Sequence, residues 1–369
     1  MPLQGDAAPA RPTYTNITPL AAGGMGVVYL AHHEGFDKPC VQKVVPTAHM
    51  PAAIAYAEPR LLDELRHPQL VPVLETQPDP HNAALIVFTM PYYRQGTIRF
   101  ALDHGYRFSL HQTIDIGCDL LTAIGHLHTS GLVHRDVKSE NVFLADNLGG
   151  GLLGDLGIAA RLEPDGKAPG GVGTYLFMPP EAFGPGSRVG PTMDIYSAGL
   201  TIFEMVNGPI DYATLAGASA QARLARGQRG VTDAALEFSP HIPADLRRAL
   251  RKGIKVNPSE RYQTSRGFIE ALRRLNLVDW REAARGVGLE GRWEGSWPPR
   301  LPVKRRRHYV VEVTPSKRGL LGVALQRTTA TGPWRRMGIA DVRLRATDSR
   351  ALAQLFSAVN AKAAQLLPA

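Results

Sequence analysis

The 369-residue sequence predicts an α+β protein with a β-rich lobe, a helix-rich lobe and a small C-terminal α+β domain. Short β-type runs punctuated by glycines dominate residues 13–90, whereas apolar residues at helical spacing dominate residues 109–276. After residue 277 the pattern returns to strands. An apolar fraction of 44% and a charged fraction of 20% are typical of a globular protein with a sizeable core.

The first lobe is predicted to hold several strands and one helix. The segments GVVYLAHH (26–33) and PCVQKVV (39–45) predict strands, as do the runs at 70–74 and 84–90. Residues 51–66 have apolar residues at helical spacing. Residues 1–12 are rich in Pro and Ala, which predicts a flexible N-terminus.

The rest of the chain is predicted to be helical and then mixed. Helical patterns cover residues 109–130, 194–206 and 243–276. Residues 277–300, rich in Trp, Gly and Pro, predict a linker before a basic α+β accessory domain at 301–369. That domain has three strand-like runs and a helix with Asp348 or Ser349 as its N-cap.

The net charge of +9 is concentrated at the C-terminal end. Residues 282–369 contain 16 Lys and Arg against 6 Asp and Glu, whereas the preceding residues contain 26 and 27. Such a basic module predicts an anionic partner, either nucleic acid or an acidic protein. The simpler alternative is a solvated basic strand. The groups that would bind nucleic acid are Lys304, Arg305, Arg306 and Arg307, with Trp293, Trp297, Tyr309 and Trp334 for stacking.

Cysteine usage and hydropathy predict a cytoplasmic protein. Cys40 and Cys118 lie far apart and form no CxxC motif, which favours two buried thiols in a reducing compartment. The N-terminus lacks the apolar region of a signal peptide, and no run of 18 apolar residues predicts a membrane span.

Two features of the first lobe are typical of nucleotide binding. In LAAGGMGVVYLA (20–31), glycines at 23, 24 and 26 would let a strand–turn–strand approach a polyphosphate, although a plain hairpin turn fits equally well. Lys43 would point inward from its strand, pair with Glu58 and hold phosphates. The alternative for Lys43 is a solvated charge on an edge strand.

The segment VHRDVKSENVFL (133–144) predicts phosphoryl-transfer chemistry. Asp136 can accept a hydroxyl proton, Lys138 can neutralise a transferring phosphoryl group, and Asn141 can ligate Mg²⁺ through its amide oxygen. Asp155, within LLGDLG and fourteen positions after Asn141, suits a second metal ligand, although a carboxylate between glycines is also common in turns.

Taken in order, these pieces resemble the eukaryotic-like Ser/Thr protein kinases of bacteria over about residues 13–276. The strings GGMGVVYLA, HRDVKSENV, VGTYLFMPPE, DIYSAGL and NPSERYQT each resemble a part of that family. The resemblance implies the two-lobed protein kinase fold, with an N-lobe at about 13–90, a hinge at 91–95 and a C-lobe at 96–276.

The resemblance also implies roles for individual residues. ATP and Mg²⁺, with Mn²⁺ as an alternative, are the implied cofactors, and Asn141 and Asp155 are the implied metal ligands. Glu181 with Arg261 matches a structural ion pair, and Asp194 matches a residue that braces the catalytic loop. The implied catalytic residues are Asp136, Lys138, Lys43, Glu58 and Thr174. The implied nucleotide-binding residues are Ala22, Gly23, Gly24, Gly26, Val28, Lys43, Met90, Tyr92 and Tyr93.

Several positions depart from the family pattern. Ala21 replaces the first loop glycine, Ser139 replaces a proline, and Pro91 replaces the hinge acid. Pro59 directly follows Glu58, so it either kinks the helix or marks a late helix start, and it puts the Lys43–Glu58 pair in question. These departures leave a pseudokinase scaffold that signals through the basic domain as the alternative to an active enzyme.

Residues 155–181 resemble the activation segment of a protein kinase, and the first part of this segment offers no hydroxyl group for phosphorylation. Residues 155–173 contain no Ser, Thr or Tyr. In that family, the arginine equivalent to Arg135 often binds a phosphorylated residue of the activation segment. We therefore predict that Glu163 or Asp165 binds Arg135 in place of phosphate, so that the kinase is active without activation-loop phosphorylation.

Overall fold

The computed structural model describes residues 13–23, 26–47, 56–79, 82, 84–146, 148–211, 218–283, 290–297, 306–317, 319–329, 331–344 and 349–365. The predictions for residues 1–12, Gly24, Lys304, Arg305 and Asp348 lie outside these ranges. The chain divides into two units, residues 1–94 with 154–158, and residues 95–153 with 159–369.

The first unit contains an antiparallel five-stranded sheet in the order β1-β2-β3-β5-β4. Its single described α-helix, α1, follows β3 in the chain. The elements are β1 (Tyr14–Gly23), β2 (Gly26–His33), β3 (Lys38–Pro46), α1 (Ala57–Glu64), β4 (Glu75–Pro78) and β5 (Leu85–Pro91).

The strands β2, β3 and β5 confirm the sequence predictions closely, whereas β4 does not. The fourth strand covers Glu75–Pro78 instead of the apolar run at 70–74. In that run Leu70 and Val71 are buried in the core without forming a strand. Apolar character therefore reflected burial here rather than strand pairing.

Helices build the first part of the second unit. Ser109 and Gln112 form a reciprocal capping box at the start of α3, which explains the sharp beginning of the predicted helix at 109–130. The predicted helix at 243–276 is two helices, because Asn257 caps a 3₁₀ turn at Pro258–Glu260 between them. The helices are α2 (Ile98–Asp103), α3 (Leu110–Thr129), α4 (Thr192–Asn207), α5 (Ala218–Ala225), α6 (Ala244–Gly253) and α7 (Ser265–Arg273).

Three pairs of short antiparallel strands hold the loops that carry the predicted chemistry. They anchor both ends of the loop at 134–141 and the segment at 162–187. The pairs are β6 (Leu132–Val133) with β9 (Ala160–Arg161), β7 (Val142–Leu144) with β8 (Gly151–Leu153), and β10 (Ala168–Pro169) with β11 (Arg188–Val189).

The C-terminal module is a six-stranded antiparallel sheet with one helix. The sheet order is β12-β13-β14-β15-β16, and β17 also pairs with β15. The predicted linker at 277–300 is wrong, because β12 and β13 of this sheet lie within it. The elements are β12 (Arg281–Glu282), β13 (Gly291–Trp297), β14 (Arg307–Ser316), β15 (Gly319–Arg327), β16 (Arg335–Arg336), β17 (Val342–Leu344) and α8 (Ser349–Gln365).

Within the second unit, this module packs against the helical lobe. The carbonyl of Trp280 accepts from Leu110 N at 3.0 Å, and Asp279 Oδ1 accepts from His111 N at 2.8 Å, so both satisfy free amides at the start of α3. The Trp280 side chain is fully buried against Phe356 of α8. Its Nε1 donates to Asn360 Oδ1 at 2.9 Å.

The two cysteines are free and buried, as predicted. Cys40 lies in the first unit and Cys118 in the second, and each is 2% exposed. Burial raises the pKa of both thiols. Among the described residues, no helix is long and apolar enough to cross a membrane.

Candidate active site

The glycine-rich segment forms the tight hairpin between β1 and β2. Gly23 and Gly26 are paired at its end, and Ala21 lies opposite Val28, directly after an irregularity in the pairing between Pro19 and Ala21. Gly26 has a φ of +142°, and a Cβ atom there would collide with the carbonyl oxygen of Val44. Only glycine fits this close approach of β2 to β3. Ala22 pairs with Val27 in the same hairpin.

Lys43 forms a buried ion-pair cluster within the first unit. Its Nζ donates to Glu58 Oε1 and Oε2 at 3.0 and 2.8 Å and to Asp155 Oδ1 at 3.1 Å. Burial alone would lower the pKa of Lys43, but the two carboxylates raise it above its ordinary value. The lysine is therefore a fixed positive charge in this cluster and not a solvated edge-strand charge.

Pro59 does not disturb the pair with Glu58. The helix α1 has Tyr56 as its N-cap, so Pro59 occupies its first turn. Proline is tolerated there, since the backbone N–H that it lacks would have had no partner inside the helix. Asp155 has a φ of +60°, an unfavourable conformation for a residue with a side chain.

The residues predicted to contact adenine lie at the end of β5. Met90 is paired with Val41 of β3, and Pro91 is the last residue of the strand. Tyr92 and Tyr93 follow it directly, just before the first unit ends at Arg94. Val28 lies opposite Lys43 across β2 and β3.

Asp136 is the centre of a dense hydrogen-bond network in the second unit. Its Oδ1 accepts from Thr174 N at 3.0 Å and from Thr174 Oγ1 at 2.7 Å. Its Oδ2 accepts from Lys138 Nζ at 2.7 Å and from Asn141 Nδ2 at 3.3 Å. Lys138 Nζ also donates to Thr174 Oγ1 at 2.8 Å. The four side chains that the sequence singled out in this unit are thus held together.

The two predicted metal ligands have suitable donor atoms. Asn141 Nδ2 donates to the carbonyl of Asp136 at 2.9 Å, which leaves its amide oxygen for a cation. Asp155 supplies a carboxylate, the other oxygen ligand that Mg²⁺ prefers. Over the residues that the structure describes, no group of three or more His, Cys, Asp or Glu could form a metal cage.

Asp194 braces the loop that carries Asp136. This fully buried carboxylate accepts from His134 N at 2.9 Å, from Arg135 N at 3.0 Å and from His128 Nε2 at 2.8 Å. Burial would raise the pKa of Asp194, but the hydrogen bonds and charge of His128 hold it below the ordinary value. Glu181 and Arg261 form the predicted ion pair, at 2.6 and 2.8 Å.

The activation segment is ordered by contacts other than the predicted one. Glu163 and Asp165 bind Arg188, at 2.8 and 2.9 Å, whereas Arg135 donates to the carbonyl of Pro169 at 2.8 Å. The predicted partner for the two acids was wrong, because the pairing of β10 with β11 brings Arg188 beside their turn.

Glycine also permits the activation segment to approach the loop of Asp136. Gly173 has a φ of +115°, and a Cβ atom there would lie 2.5 Å from the carbonyl oxygen of Arg135. Arg135 itself has a φ of +69°. The close approach places Thr174 against Asp136 and explains why the segment needs glycine immediately before that threonine.

Sequence reasoning missed a buried network beneath the loop. Ser139 Oγ donates to Glu204 Oε2 at 2.6 Å, and Ile210 N donates to Glu204 Oε1 at 2.9 Å. Arg99 lies 3.5 Å from the same carboxylate. In the sequence, the signal that could have indicated this network was Ser139, which stands in place of the family's proline. Burial raises the pKa of Glu204 to about 7.

We expect Glu204→Gln to change how stability depends on pH. The folded pKa of about 7 lies above the unfolded value, so protonation stabilises the fold at low pH, and this contribution is lost as pH rises towards 7. The melting temperature of the variant should therefore rise relative to wild type between pH 5 and 8, by an amount equivalent to up to about 3 kcal/mol. The exposed Glu260→Gln is the control, and an equally flat difference for both variants would contradict the prediction.

The structure of the C-terminal module does not support the predicted nucleic-acid-binding surface. Trp297 and Tyr309 are 4% and 0% exposed, so they belong to the core of the module and have no face for a base to stack on. Arg327 lies over the ring of Trp334, 4.4 Å from its centroid.

Comparison with known proteins agrees with this geometry. The protein kinase domain model matches residues 14–271, more than half of the chain. The serine/threonine-protein kinase PknK of Mycobacterium bovis is 28% identical over 300 residues, covering 80% of this chain and 26% of PknK. The probable serine/threonine-protein kinase SCO3848 of Streptomyces coelicolor is 28% identical over 255 residues, covering 67% and 37%. The chain thus spans only about a quarter to a third of the length of these relatives.

Proposed function

The chain belongs to the protein kinase family, and on that premise we propose that it transfers the γ-phosphoryl group of ATP to Ser or Thr hydroxyls of a protein. The observation that carries the proposal is the network around Asp136, in which Lys138, Asn141 and Thr174 all bind one carboxylate. PknK and SCO3848 are named as serine/threonine kinases, which supports the choice of hydroxyl.

Asp136 is proposed to orient the attacking hydroxyl and to receive its proton. The hydroxyl oxygen forms a bond to the γ-phosphorus, the bond from that phosphorus to the β–γ bridging oxygen breaks, and ADP leaves. Lys138, fixed by Asp136 and Thr174, would neutralise charge on the transferring group. Such transfer depends mainly on positioning and charge.

Lys43 is proposed to hold the nucleotide's phosphates, oriented by Glu58. The hairpin at Gly23 and Gly26 would supply backbone N–H groups to them. Asn141 and Asp155 would hold Mg²⁺, which when bound neutralises phosphate charge. Ala22, Gly24, Val28, Met90, Tyr92 and Tyr93 remain proposed nucleotide contacts.

Activity without activation-loop phosphorylation is part of this proposal. The turn at 163–167 is closed by Glu163 N donating to the carbonyl of Lys167 at 2.8 Å. Arg188 binds the two acids of that turn, and Gly170 N donates to Ser187 O at 2.7 Å. These contacts use groups that the chain carries already, which supports ordering of the segment without an added phosphate.

The experiment that tests the function is transfer by dephosphorylated protein. The chain is treated with phosphatase, purified, and given Mg-ATP, radiolabelled at the γ-phosphate, with a protein substrate. Incorporation into Ser or Thr without a lag is the expected result. A lag that disappears after preincubation with ATP would refute activity without phosphorylation. No incorporation at all, with ATP binding retained, would favour the pseudokinase scaffold instead.

We expect Arg188→Ala to loosen the activation segment. Its ion pairs are exposed to solvent and screened, so their loss should increase local opening of the segment only modestly. Hydrogen exchange at the amides of Glu163 and Gly170 measures this opening. Arg188→Lys, which keeps the charge, should show a smaller effect, and unchanged exchange in Arg188→Ala would show that the acids do not order the turn.

The cellular setting is proposed on narrower grounds. The two free thiols are compatible with a cytoplasmic protein.

The C-terminal module is proposed to regulate or target the kinase, since it packs directly on the helical lobe.

A further inference from the structure

A crevice of about 180 Å³ lies where the helical lobe meets the C-terminal module. One wall is the chain at 240–247, which leads into α6. The other wall is one face of α8, with residues 350, 353, 354, 357 and 360 at helical spacing. Both walls belong to the second unit, and none of the proposed catalytic residues lines the crevice.

The charge of the crevice is positive. Arg247 and Arg350 line it, and no Asp or Glu does so among the described residues. Arg247 donates through Nε to Ile242 O at 2.6 Å and through Nη2 to the carbonyls of Ser239 and Pro240. It is therefore held rigidly by backbone oxygens and not neutralised by a carboxylate. Burial, with the nearby Arg251, lowers the pKa of its guanidinium.

Neutral polar groups complete the lining. His241 is only 4% exposed, and its Nδ1 is buried without a hydrogen-bond partner. The rings of Trp293 and Phe356 flank this imidazole at 6.3 and 6.1 Å between centroids. The amide oxygen of Asn360 accepts from Trp280 Nε1, and the amide nitrogen of Asn360 is a further donor on this wall. A buried ring nitrogen without a partner is costly, so this wall of the crevice carries an unmet polar group.

We propose that this crevice binds a small oxyanion, a phosphate or carboxylate group on a compact molecule, between Arg247 of the helical lobe and Arg350 of the module. Guanidinium groups match both oxyanions in geometry and charge. The volume equals that of roughly six water molecules, which suits such a group and is below the size of typical nucleotide or drug pockets. A ligand here contacts both walls, so it links the module to the kinase lobe.

The test is anion-dependent thermal stabilisation of the full chain. Melting temperatures are measured with increasing sodium phosphate, sodium acetate or sodium chloride at matched ionic strength. Binding to the folded state alone raises the melting temperature with ligand concentration. We expect phosphate or acetate to stabilise the protein beyond chloride, and the stronger of the two identifies the oxyanion class.

Three variants locate the effect. Arg350→Gln should weaken the apparent affinity about tenfold, the loss expected for one charge-assisted hydrogen bond. Ala353→Leu, which fills the crevice without changing charge, should abolish the anion response. Arg266→Gln on α7, an exposed arginine away from the crevice, should respond like wild type. The nucleotide-binding residues are the same in all four proteins, so any phosphate bound there contributes equally.

The outcomes separate clearly. Loss of the response in Arg350→Gln or in Ala353→Leu, with wild-type behaviour in Arg266→Gln, supports the crevice. Two independent changes keep the test valid if one of these variants does not fold. An identical response in all four proteins, or no stabilisation of wild type beyond chloride, would overturn the proposal. Neither result bears on phosphoryl transfer, which is measured separately.

Discussion

Asp136→Asn is expected to lower kcat for phosphoryl transfer by about a thousandfold, because the carboxylate that would take the hydroxyl proton is gone. The structure gives a second reason. The Asp136 carboxylate is the acceptor in all four of its hydrogen bonds, and the donors belong to Lys138, Asn141 and Thr174. An asparagine would place its own NH₂ group against at least one of them. The measurement is kcat and KM for ATP and for the protein substrate.

The control for this variant is Asp146→Asn, an exposed aspartate on the same lobe. Binding of ATP should persist in Asp136→Asn, since Lys43, Glu58 and Asp155 are unchanged. Retention of more than about a tenth of wild-type kcat, with normal ATP binding, would show that another group receives the proton.

Trp280→Ala is expected to destabilise the second unit by about 3–5 kcal/mol, the usual cost of removing a large buried aromatic ring. The ring is 0% exposed and packs edge-on against Phe356, with centroids 5.0 Å apart. Its removal also leaves Asn360 Oδ1 without a donor. Because Leu110 N donates to the carbonyl of the same residue, the start of α3 should loosen as well. Urea unfolding followed by circular dichroism measures the change.

Trp280→Phe separates packing from hydrogen bonding. It keeps most of the ring and loses only the bond to Asn360, so we expect a smaller cost, of about 1–2 kcal/mol. A cost below about 1 kcal/mol in Trp280→Ala would mean that the C-terminal module is only loosely attached to the helical lobe.

Local patterns predicted much of the fold. Short β-type runs predicted β2 and β3, and apolar residues at helical spacing predicted α3, because these signals act over a few residues. The strand β13 was missed, since its sequence GRWEGSW contains the glycines and tryptophans that also suggest a linker. Its strand character depends on pairing with β14, which no local pattern reveals.

The same distinction applies to the site. The loop residues Asp136, Lys138 and Asn141 stand within six positions, so their grouping could be predicted from the sequence alone. Arg188 lies 23 positions from Asp165, and Glu204 lies 65 positions from Ser139. An exposed acid such as Asp165 could pair with many arginines of the sequence, and the three-dimensional fold determines which one lies beside it.

The reactivity of the two buried thiols can be used to measure unfolding of each unit. Cys40 and Cys118 occupy different units, and each is shielded and poorly ionised in the native state. A thiol reagent should therefore modify each cysteine only when its own unit opens. Peptide mapping after timed labelling in rising urea would yield a separate opening curve for each lobe, without introducing any foreign probe. Nucleotide-induced protection could then be assigned to one lobe or to both.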